Sequence, residues 1–392
     1  MRNNRVFLMV LDSLGIGNAP DAEAFGDEGA NTLKSCYDTK ELNIPVLSML
    51  GLYNIDGINY GEHLPNKHSV YGRLVEMSAD KDTITGHREM MGIVSDKRMP
   101  TFPNGFPEDF IKEFEKRIHR KVLCNKPYSG TEVLKDYGKQ QVAEGAVIVY
   151  TSGDSVFQIA AHCGIVQTEE QYEICKIARE MLTGDLAVGR VIARPFCGVY
   201  PNFERVSWQR HDYALPLDKN NGLSILQSKG IETIGVGKIG DIFSHTGLNK
   251  SYPTGKNAKG FEKCFELLDS APDNSLIFAN FVDFDSEYGH RRNVEGYTKC
   301  LNEFDKFLYD FINKMNSNDY LIITADHGCD PCFMKTTDHT RECVPLLVYN
   351  KAELPQDRTR PCTLTSLSDG RQDLGTIAGF DTVYKFCEKI LL

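Results

Sequence analysis

The chain has 392 residues, of which 41% are hydrophobic and 25% are charged, and its formal net charge is −10. This length and composition indicate a globular protein of two or three domains with a large core. The acidic balance argues against a nucleic-acid-binding protein, which usually presents a basic face. The first apolar run, residues 6–11, is too short for a signal peptide or a membrane span, so we expect a soluble, cytoplasmic protein without membrane contact.

Short, mostly apolar runs predict strands that are buried on both faces of a parallel or mixed sheet. These runs are Val6–Leu11, Ala146–Tyr150, Val188–Ala193, Ile231–Val236, Leu276–Val282, Leu321–Ile323 and Val344–Tyr349. Hydrophobic residues from Tyr297 to Met315 recur at three- and four-residue steps, which is typical of one face of a long helix. This helix and the runs on either side of it form a βαβ unit. The predicted fold class is therefore α/β, with a mostly parallel central sheet flanked by helices.

Asp12 directly follows the first predicted strand. An aspartate after a strand often caps a helix, and the position taken alone favours that interpretation. A metal ligand at the end of the strand is the alternative.

Residues 81–87 (Lys-Asp-Thr-Ile-Thr-Gly-His) form a polar turn ahead of Met90 and Met91. The local pattern favours a helix N-cap, in which Thr83 or Thr85 bonds backbone amides. The functional alternative makes one of these threonines a metal-activated nucleophile that forms a phospho-enzyme. The sequence pattern does not choose between Thr83 and Thr85.

The segment 99–215 has the features of a separate module. It begins with a proline- and glycine-rich stretch, residues 100–107, and then alternates helical and strand patterns. The candidate metal ligands, Asp12 and five further residues between positions 285 and 339, all lie outside this segment. We therefore predict an inserted, smaller α/β domain between the two halves of a discontinuous core, residues 1–98 and 216–392.

Aspartate and histidine side chains follow three of the predicted strands. The candidate ligands are Asp12, Asp285, His290, Asp326, His327 and, on a following loop, His339. Open α/β sheets bind ligands at the carboxyl ends of their strands, and burying an adjacent Asp-His pair without partners would be costly. These carboxylates and imidazoles suit borderline divalent ions such as Mn²⁺ or Zn²⁺. The sequence therefore predicts a two-metal site that supports in-line phosphoryl transfer.

The chain contains 12 cysteines without regular spacing, and Cys329 and Cys332 form a C-x-x-C pattern. A redox motif would need a helix starting after the first cysteine, and a zinc motif would need a second pair. Neither pattern is present, so we expect incidental, reduced cysteines near the metal site. Tight zinc binding at this pair is the alternative.

Several motifs closely resemble those of the phosphopentomutases, a prokaryotic family of the alkaline phosphatase superfamily. They are residues 12–22, 81–87, 283–292, 324–328 and 337–342, joined within the insert by residues 150–155, 189–196 and 210–214. The resemblance runs over nearly the full chain. It implies an alkaline-phosphatase-like core with the insert as a cap domain that closes on a sugar phosphate.

The resemblance also implies roles for individual residues. The nucleophile would be Thr83, the threonine directly after Lys-Asp. One metal ion, usually Mn²⁺ in this family, would be held by Asp12, Asp326, His327 and the Thr83 oxygen. The second would be held by Asp285, His290 and His339. The residues of the cap domain near the substrate would be Ser152, Asp154, Arg190 and Arg205. For both arginines the alternative is a surface or interdomain ion pair, and for Arg205 the sequence supports that alternative about equally.

Two positions depart from the family pattern, and one has no assigned role. Arg88 stands where the family usually has an aromatic residue, and Cys329 replaces an asparagine. Neither is a proposed ligand, so these changes bear on metal preference and not on the reaction class. Lys238 matches a family motif without an assignable role.

The resemblance implies a phosphopentomutase that interconverts ribose 1-phosphate and ribose 5-phosphate, and the 2-deoxy pair, in nucleoside catabolism. We expect it to act as a monomer on small sugar phosphates. The alternatives are a phosphoglycerate mutase or a phosphatase on the same core. A non-catalytic metal-binding protein, with Thr83 only capping a helix, is a third possibility.

Overall fold

The computed structural model describes residues 3–65, 69–217, 219–336, 338–351 and 378–392. The chain divides into two compact units. The first consists of Met1–Lys97 together with Asp218–Leu392, and the second is Arg98–Leu217. Thr337, part of one motif above, and the whole segment from 352 to 377 lie outside the described residues.

Strands and helices alternate along most of the described chain. The strands are β1 (Arg5–Leu11), β2 (Ser69–Val75), β3 (Val122–Pro127), β4 (Val147–Thr151), β5 (Val156–His162), β6 (Arg190–Val199), β7 (Asn202–Arg205), β8 (His211–Ala214), β9 (Glu232–Val236), β10 (Lys250–Tyr252), β11 (Ser275–Phe281), β12 (Asp319–Thr324), β13 (Val344–Asn350) and β14 (Ala378–Gly379). The helices are α1 (Thr32–Asp38), α2 (Pro45–Met49), α3 (Thr83–Met90), α4 (Glu108–Ile118), α5 (Glu132–Glu144), α6 (Thr168–Met181), α7 (Gly222–Ser228), α8 (Ile239–Ile242), α9 (Asn257–Ser270), α10 (Val294–Lys314) and α11 (Asp381–Leu391).

The first unit is built on an eight-stranded sheet with the order β10-β9-β11-β1-β12-β13-β2-β14. Neighbouring strands of this sheet are parallel, except that β13 runs antiparallel to both β12 and β2. Every residue of β1, β11, β12 and β13 is buried. Continuous apolar runs form such strands because both faces of the sheet are covered. The predicted βαβ unit is β11, α10 and β12, and its strands flank β1 on either side.

Helix α10 covers this sheet with the face predicted from its periodicity. Tyr297, Leu301, Phe304 and Leu308 are all fully buried. At its carboxyl end, the Phe311 ring meets Phe7 of β1 edge-on, with the ring centroids 5.2 Å apart. Such aromatic burial contributes much of the energy that holds a helix on a sheet.

The second unit has its own six-stranded sheet and its own core. Strands β3 to β7 follow one another in order, and β8 pairs with β6. Phe157 of β5 lies at the centre of an aromatic group with Phe106, Phe110 and Phe114. The unit begins one residue before, and ends two residues after, the segment 99–215 drawn from the sequence.

The predicted α/β class is confirmed, and the sheet of the first unit is mostly parallel. All seven strands predicted from apolar runs are present, with ends shifted by up to six residues. Among the described helices, none is both long enough and apolar enough to span a membrane.

Candidate active site

The carboxyl ends of three neighbouring strands bring the candidate carboxylates together. In the sheet, β1 lies between β11 and β12, with Leu11 opposite Phe281 and Val10 opposite Thr324. Asp12, Asp285 and Asp326 follow these three strands, so parallel pairing delivers them to one edge. Asp285 lies in a single π-helical turn, Phe284–Gly289. Such turns are frequent at functional sites.

One group of donor atoms consists of Asp12, Asp326 and His327. One ligand atom from each of these residues lies within 4.8 Å of the others. The His327 Nε2 atom is 3.6 Å from Asp12 Oδ1 and 3.4 Å from Asp326 Oδ2. All three side chains are buried, with at most 1% of each residue exposed. This is the geometry of a ligand set that converges on one point.

A second group consists of Asp285, His290 and His339. The His290 Nε2 atom is 3.3 Å from Asp285 Oδ2, and His339 Nε2 is 3.8 Å from Asp285 Oδ1. The two Nε2 atoms of these histidines are 3.0 Å apart. Donor atoms of His327 and His339 also lie within 4.8 Å of an Asp285 oxygen, so the two groups adjoin.

Unsatisfied carboxylate oxygens show that these residues fit a divalent metal ion. Asp12 Oδ1, Asp285 Oδ1 and Asp326 Oδ2 are buried and have no hydrogen-bond partner in the described part of the chain. Two imidazole nitrogens lie near Asp326 Oδ2, His87 Nδ1 at 3.1 Å and His327 Nε2 at 3.4 Å. Buried charged oxygens without partners are costly, and a bound cation removes that cost.

The ionisable groups respond strongly to burial and to one another. Burial raises the pKa of the Asp12 carboxyl, and the neighbouring Asp326 raises it further. Burial also acts to raise the pKa of Asp326, but His327 and His87 outweigh it and lower that pKa to about 2. Burial lowers the pKa of His339 to about 4. His339 is therefore neutral at pH 7, as a metal ligand must be.

The two threonines that the sequence left as alternatives differ in their contacts. Helix α3 starts at Thr83, and its N-cap is Asp82, whose Oδ1 accepts hydrogen bonds from the amides of Ile84 and Thr85. Thr85 Oγ1 donates to Asp82 Oδ2 at 3.2 Å. Thr83 Oγ1 instead lies 3.1 Å from His327 Nε2. The interpretation of either threonine as the N-cap is wrong.

The helix-cap interpretation of Asp12 is also wrong, because a turn and no helix follows it. Its Oδ2 accepts a hydrogen bond from Asn280 Nδ2 at 2.9 Å. The next residue, Ser13, has a φ of 78°. Its amide donates to Asp326 Oδ1 at 2.9 Å, so this strained turn ties two of the candidate ligands together.

Sequence reasoning missed two residues that hold the ligands in position. His87 Nδ1 is 2.8 Å from the Thr83 carbonyl oxygen and 3.1 Å from Asp326 Oδ2, and Asn280 Nδ2 is 3.1 Å from His87 Nε2. A proton on Nδ1, donated to the Thr83 carbonyl oxygen, and an acceptor at Nε2 account for the two hydrogen bonds, and Nδ1 also lies near Asp326 Oδ2. The signal for His87 was its place in the Thr-Gly-His motif. The one signal for Asn280 was that it is a polar residue within an otherwise apolar strand.

A glycine allows helix α3 to approach the metal-binding loop. A Cβ atom added at Gly86 would lie 2.1 Å from the Asp326 backbone oxygen. Any side chain there would push the helix, and with it Thr83, away from the ligand cluster.

The structure shows the surroundings of the three positions to which the sequence assigned no role, Lys238, Arg88 and Cys329. Burial raises the pKa of Asp12 overall, and the charge of Lys238 acts to lower it. Arg88 is buried, and its guanidinium donates to the Ile242 carbonyl oxygen of α8. Cys329 is fully buried, and its sulfur shares a candidate ligand group with Asp285 and His290.

In the second unit, two of the predicted substrate residues lie near each other. Arg190 Nη2 is 3.8 Å from Asp154 Oδ2, and its Nη1 is 3.6 Å from Asp212 Oδ2. Arg210, which sequence reasoning did not single out, donates twice to Asp212. Ser152 Oγ accepts from the Asp154 amide at 3.3 Å.

Arg205, the fourth of these residues, has a different setting. Its Nε donates to the Gly130 carbonyl oxygen at 3.1 Å. Arg205 and Arg210 both act to lower the pKa of the Tyr150 phenol, although burial raises that pKa overall. The charge of Arg194 acts in the same direction, so three arginines of this unit influence Tyr150.

Known proteins match nearly the whole chain. A family model for the metalloenzyme superfamily matches residues 4–382. The phosphopentomutase of Lachnoclostridium phytofermentans is 51% identical over 346 residues, which is 88% of this chain and 88% of the relative. The phosphopentomutase of Caldanaerobacter subterraneus is 50% identical, with 88% of this chain and 87% of the relative covered. The chain belongs to the phosphopentomutase family.

Phosphopentomutases are isomerases, more specifically intramolecular phosphotransferases. The match to the metalloenzyme superfamily, together with the mostly parallel sheet, confirms the predicted alkaline-phosphatase-like α/β fold. Membership of that superfamily implies divalent metal ions, and the grouped carboxylates and imidazoles at the sheet edge are candidates to hold them.

Proposed function

We propose that this protein interconverts ribose 1-phosphate and ribose 5-phosphate, and the 2-deoxy pair, through a phosphothreonine at Thr83 and two divalent metal ions. It would act in the cytoplasm, as a monomer, in nucleoside catabolism. The phosphopentomutase relatives, at about half identity over most of their length, support this activity.

The observation that carries the proposal is the position of the Thr83 hydroxyl. Its Oγ1 is 3.1 Å from His327 Nε2, beside the unsatisfied oxygens of the ligand cluster. Thr83 is also the first residue of helix α3. The positive end of the helix dipole favours an anionic phosphoryl group at this position.

The two groups of donor atoms divide between two metal ions. Asp12, Asp326, His327 and the Thr83 oxygen would hold one ion, and Asp285, His290 and His339 would hold the other. Oxygen and imidazole donors of this kind suit Mn²⁺. When bound, two such ions neutralise the charge that develops on the attacking and leaving oxygens.

The reaction is two phosphoryl transfers in opposite directions. In the first, the bond between Thr83 Oγ1 and phosphorus breaks, and the free hydroxyl of the pentose monophosphate forms a new bond to phosphorus and loses its proton. The product is a pentose bisphosphate. In the second transfer, Thr83 takes the original phosphoryl group, so the sugar leaves with its phosphate at the other position. Positioning and charge neutralisation account for most of such a reaction.

We assign binding of the sugar phosphate to the second unit, as a cap domain, through Ser152, Asp154, Arg190 and Arg205. The planar guanidinium of arginine presents donors that match phosphate oxygens in pairs. The three arginines whose charges act on Tyr150 support this assignment. Exclusion of water during the bisphosphate stage would favour transfer over hydrolysis.

The test is an analysis of reaction products. The purified protein is loaded with Mn²⁺, primed with ribose 1,5-bisphosphate and given ribose 1-phosphate. We expect ribose 5-phosphate to accumulate to equilibrium with little free phosphate. Free phosphate without ribose 5-phosphate would identify a phosphatase instead. Turnover of phosphoglycerate but not of pentose phosphates would identify the other mutase.

A further inference from the structure

The sulfur of Cys329 belongs to a third group of potential metal ligands. One atom each from Cys329, Asp285 and His290 lies within 4.8 Å of the others. Donor atoms bound about 2.0–2.3 Å from one tetrahedral ion are roughly 3.5 Å apart, so small side-chain rotations close this group around a cation. The role assigned to Asp285 and His290 above does not require a sulfur ligand.

The backbone and a neighbouring glycine hold this sulfur against the π-helical turn that carries Asp285. The Cys329 amide donates to the Ser13 carbonyl oxygen at 3.2 Å and contacts Thr32 Oγ1 at 3.3 Å. A Cβ atom at Gly289 would lie 3.0 Å from Cys329 Sγ. The absence of a side chain at 289 therefore leaves room for the sulfur beside the ligands.

A second observation points to a cation at this position. Asp285 Oδ1 is buried without a hydrogen-bond partner among the described residues, and only 7% of Asp285 is exposed. Within the described ranges of the chain, the Cys329 sulfur makes one hydrogen-bond contact, a long one of 4.0 Å to the Asp338 carbonyl oxygen. The sulfur therefore lies among carboxylate and imidazole donors, where a metal ligand would lie.

We propose that Cys329 is an additional ligand of the metal ion held by Asp285 and His290, and that it biases this position toward Zn²⁺ or Co²⁺ over Mn²⁺. The inference rests on the metal site of the proposed function. On binding, the S–H bond breaks, a sulfur–metal bond forms, and the proton leaves to water. Thiolate ligands favour these softer ions, whereas oxygen ligands favour Mn²⁺.

The test is a titration of the metal-free protein with Co²⁺, followed by absorption spectroscopy. The wild-type protein should develop a near-ultraviolet sulfur-to-cobalt charge-transfer band as the ion binds. Cys329→Ser and Cys329→Asn should bind Co²⁺ without this band. The matched control is Cys332→Ser, which removes the exposed cysteine of the same loop and should keep the band.

Metal competition provides the second readout. In Cys329→Asn, the ratio of Zn²⁺ to Mn²⁺ affinity should fall roughly tenfold or more. An equal band in wild type and Cys329→Ser, or binding of Co²⁺ to wild type without any band, would overturn the proposal. Failure of the wild type to bind Co²⁺ would also overturn it.

X-ray absorption at the zinc edge tests the wild-type protein without any substitution. A sulfur shell at about 2.3 Å supports ligation, and a shell of nitrogen and oxygen alone contradicts it. Mutase turnover with Mn²⁺ is measured on the same preparations. A sulfur shell without turnover would retain the Cys329 ligand and contradict the proposed function. Turnover without the shell would contradict the Cys329 ligand alone.

Discussion

At the residue scale, the hydroxyls of Thr83 and Thr85, two positions apart in the chain, make different contacts. Thr85 Oγ1 is committed to Asp82, whereas Thr83 Oγ1 faces His327 at 3.1 Å. An assignment of Thr83 as the nucleophile therefore leaves Thr85 a structural role in the first turn of α3.

Thr83→Ala should abolish the phospho-enzyme and lower turnover by at least about 10³-fold, because no other hydroxyl replaces the nucleophile. Thr85→Ala, the matched control, should keep the phospho-enzyme and cost about 1 kcal/mol of stability through one lost hydrogen bond. The measurements are intact-protein mass after priming with the bisphosphate, and the rate of ribose 5-phosphate formation. Full turnover by Thr83→Ala would refute the assignment.

Glu342 is a buried acid behind the ligand loops. Its carboxylate accepts hydrogen bonds from Gly17, from the amide and hydroxyl of Thr32, and from the Thr340 hydroxyl. Burial raises the pKa of Glu342 to about 7 from 4.5, although the bonds from Thr340 and Thr32 act to lower it. The folded protein therefore holds this proton more tightly than the unfolded chain does.

A raised folded-state pKa contributes stability that is fully present below the unfolded value and is lost as pH rises through the folded value. For Glu342 the loss should fall between pH 4.5 and 7. It should amount to about 3 kcal/mol, at about 1.36 kcal/mol for each pKa unit.

Glu342→Gln keeps the shape and removes the titration. We measure the free energy of unfolding of the metal-free proteins with denaturant. The value for Glu342→Gln minus the value for the wild type should increase as pH rises from 4.5 to 7. A constant difference between the two proteins would contradict the prediction.

At the scale of elements, helix α3 carries Thr83 and is held at its start by one side chain. Asp82 Oδ1 accepts bonds from two amides of the first turn, at 2.8 and 3.0 Å. At the next turn, Gly86 gives the helix its close approach to Asp326. The position of Thr83 therefore depends on both the cap and the glycine.

Asp82→Ala should lower the free energy of unfolding by about 1 kcal/mol, because it leaves helix amides without an acceptor. It should also slow phosphorylation of Thr83. Asp82→Asn retains an acceptor and is an equally good N-cap, so its stability should stay near that of the wild type. Urea denaturation and the rate of phospho-enzyme formation measure the two effects. Equal losses in both variants would show that the charge matters and not the cap.

Elements were predictable where one physical signal dominated. Apolar runs identified β1, β11, β12 and β13 because strands covered on both faces have no polar alternation. Strands β2 and β10 were missed because their residues are mixed in polarity and partly exposed. The two-residue β14 is too short to carry any pattern.

The candidate site was predictable in its ligand types but not in its supporting contacts. Aspartate and histidine at strand ends marked the ligands, and parallel pairing of three strands brings them to one edge. Contacts such as Asn280 to His87 join residues 193 positions apart in the chain. Such contacts follow from tertiary packing, for which local sequence patterns carry no signal.

At the scale of the whole molecule, the second unit has the properties of an independent folding domain. Residues near its two ends, Pro100 and Leu215, contact the residues just before the neighbouring strands β5 and β6. Ser155 Oγ donates to the Pro100 carbonyl oxygen, and the Leu215 amide donates to the Gly189 carbonyl oxygen. With its own sheet and core, the unit needs no partner to bury its apolar residues.

Residues 98–217 expressed alone should fold cooperatively. Circular dichroism should show mixed helix and strand signals, and heating should give a single sharp transition. Phe157→Ala in this fragment should cost about 3–5 kcal/mol, because it empties the centre of the aromatic core. A broad, non-cooperative transition of the unsubstituted fragment would contradict its independence.

The antiparallel direction of β13 has a consequence for how this enzyme can diversify. Thr324 near the end of β12 pairs with Leu346 near the start of β13, so the chain leaves the sheet and returns at the same edge. The connection between them carries Asp326, His327, Cys329 and His339. An exchange of this one connection between relatives would therefore replace three of the six candidate metal ligands, together with Cys329, while the strands keep their register.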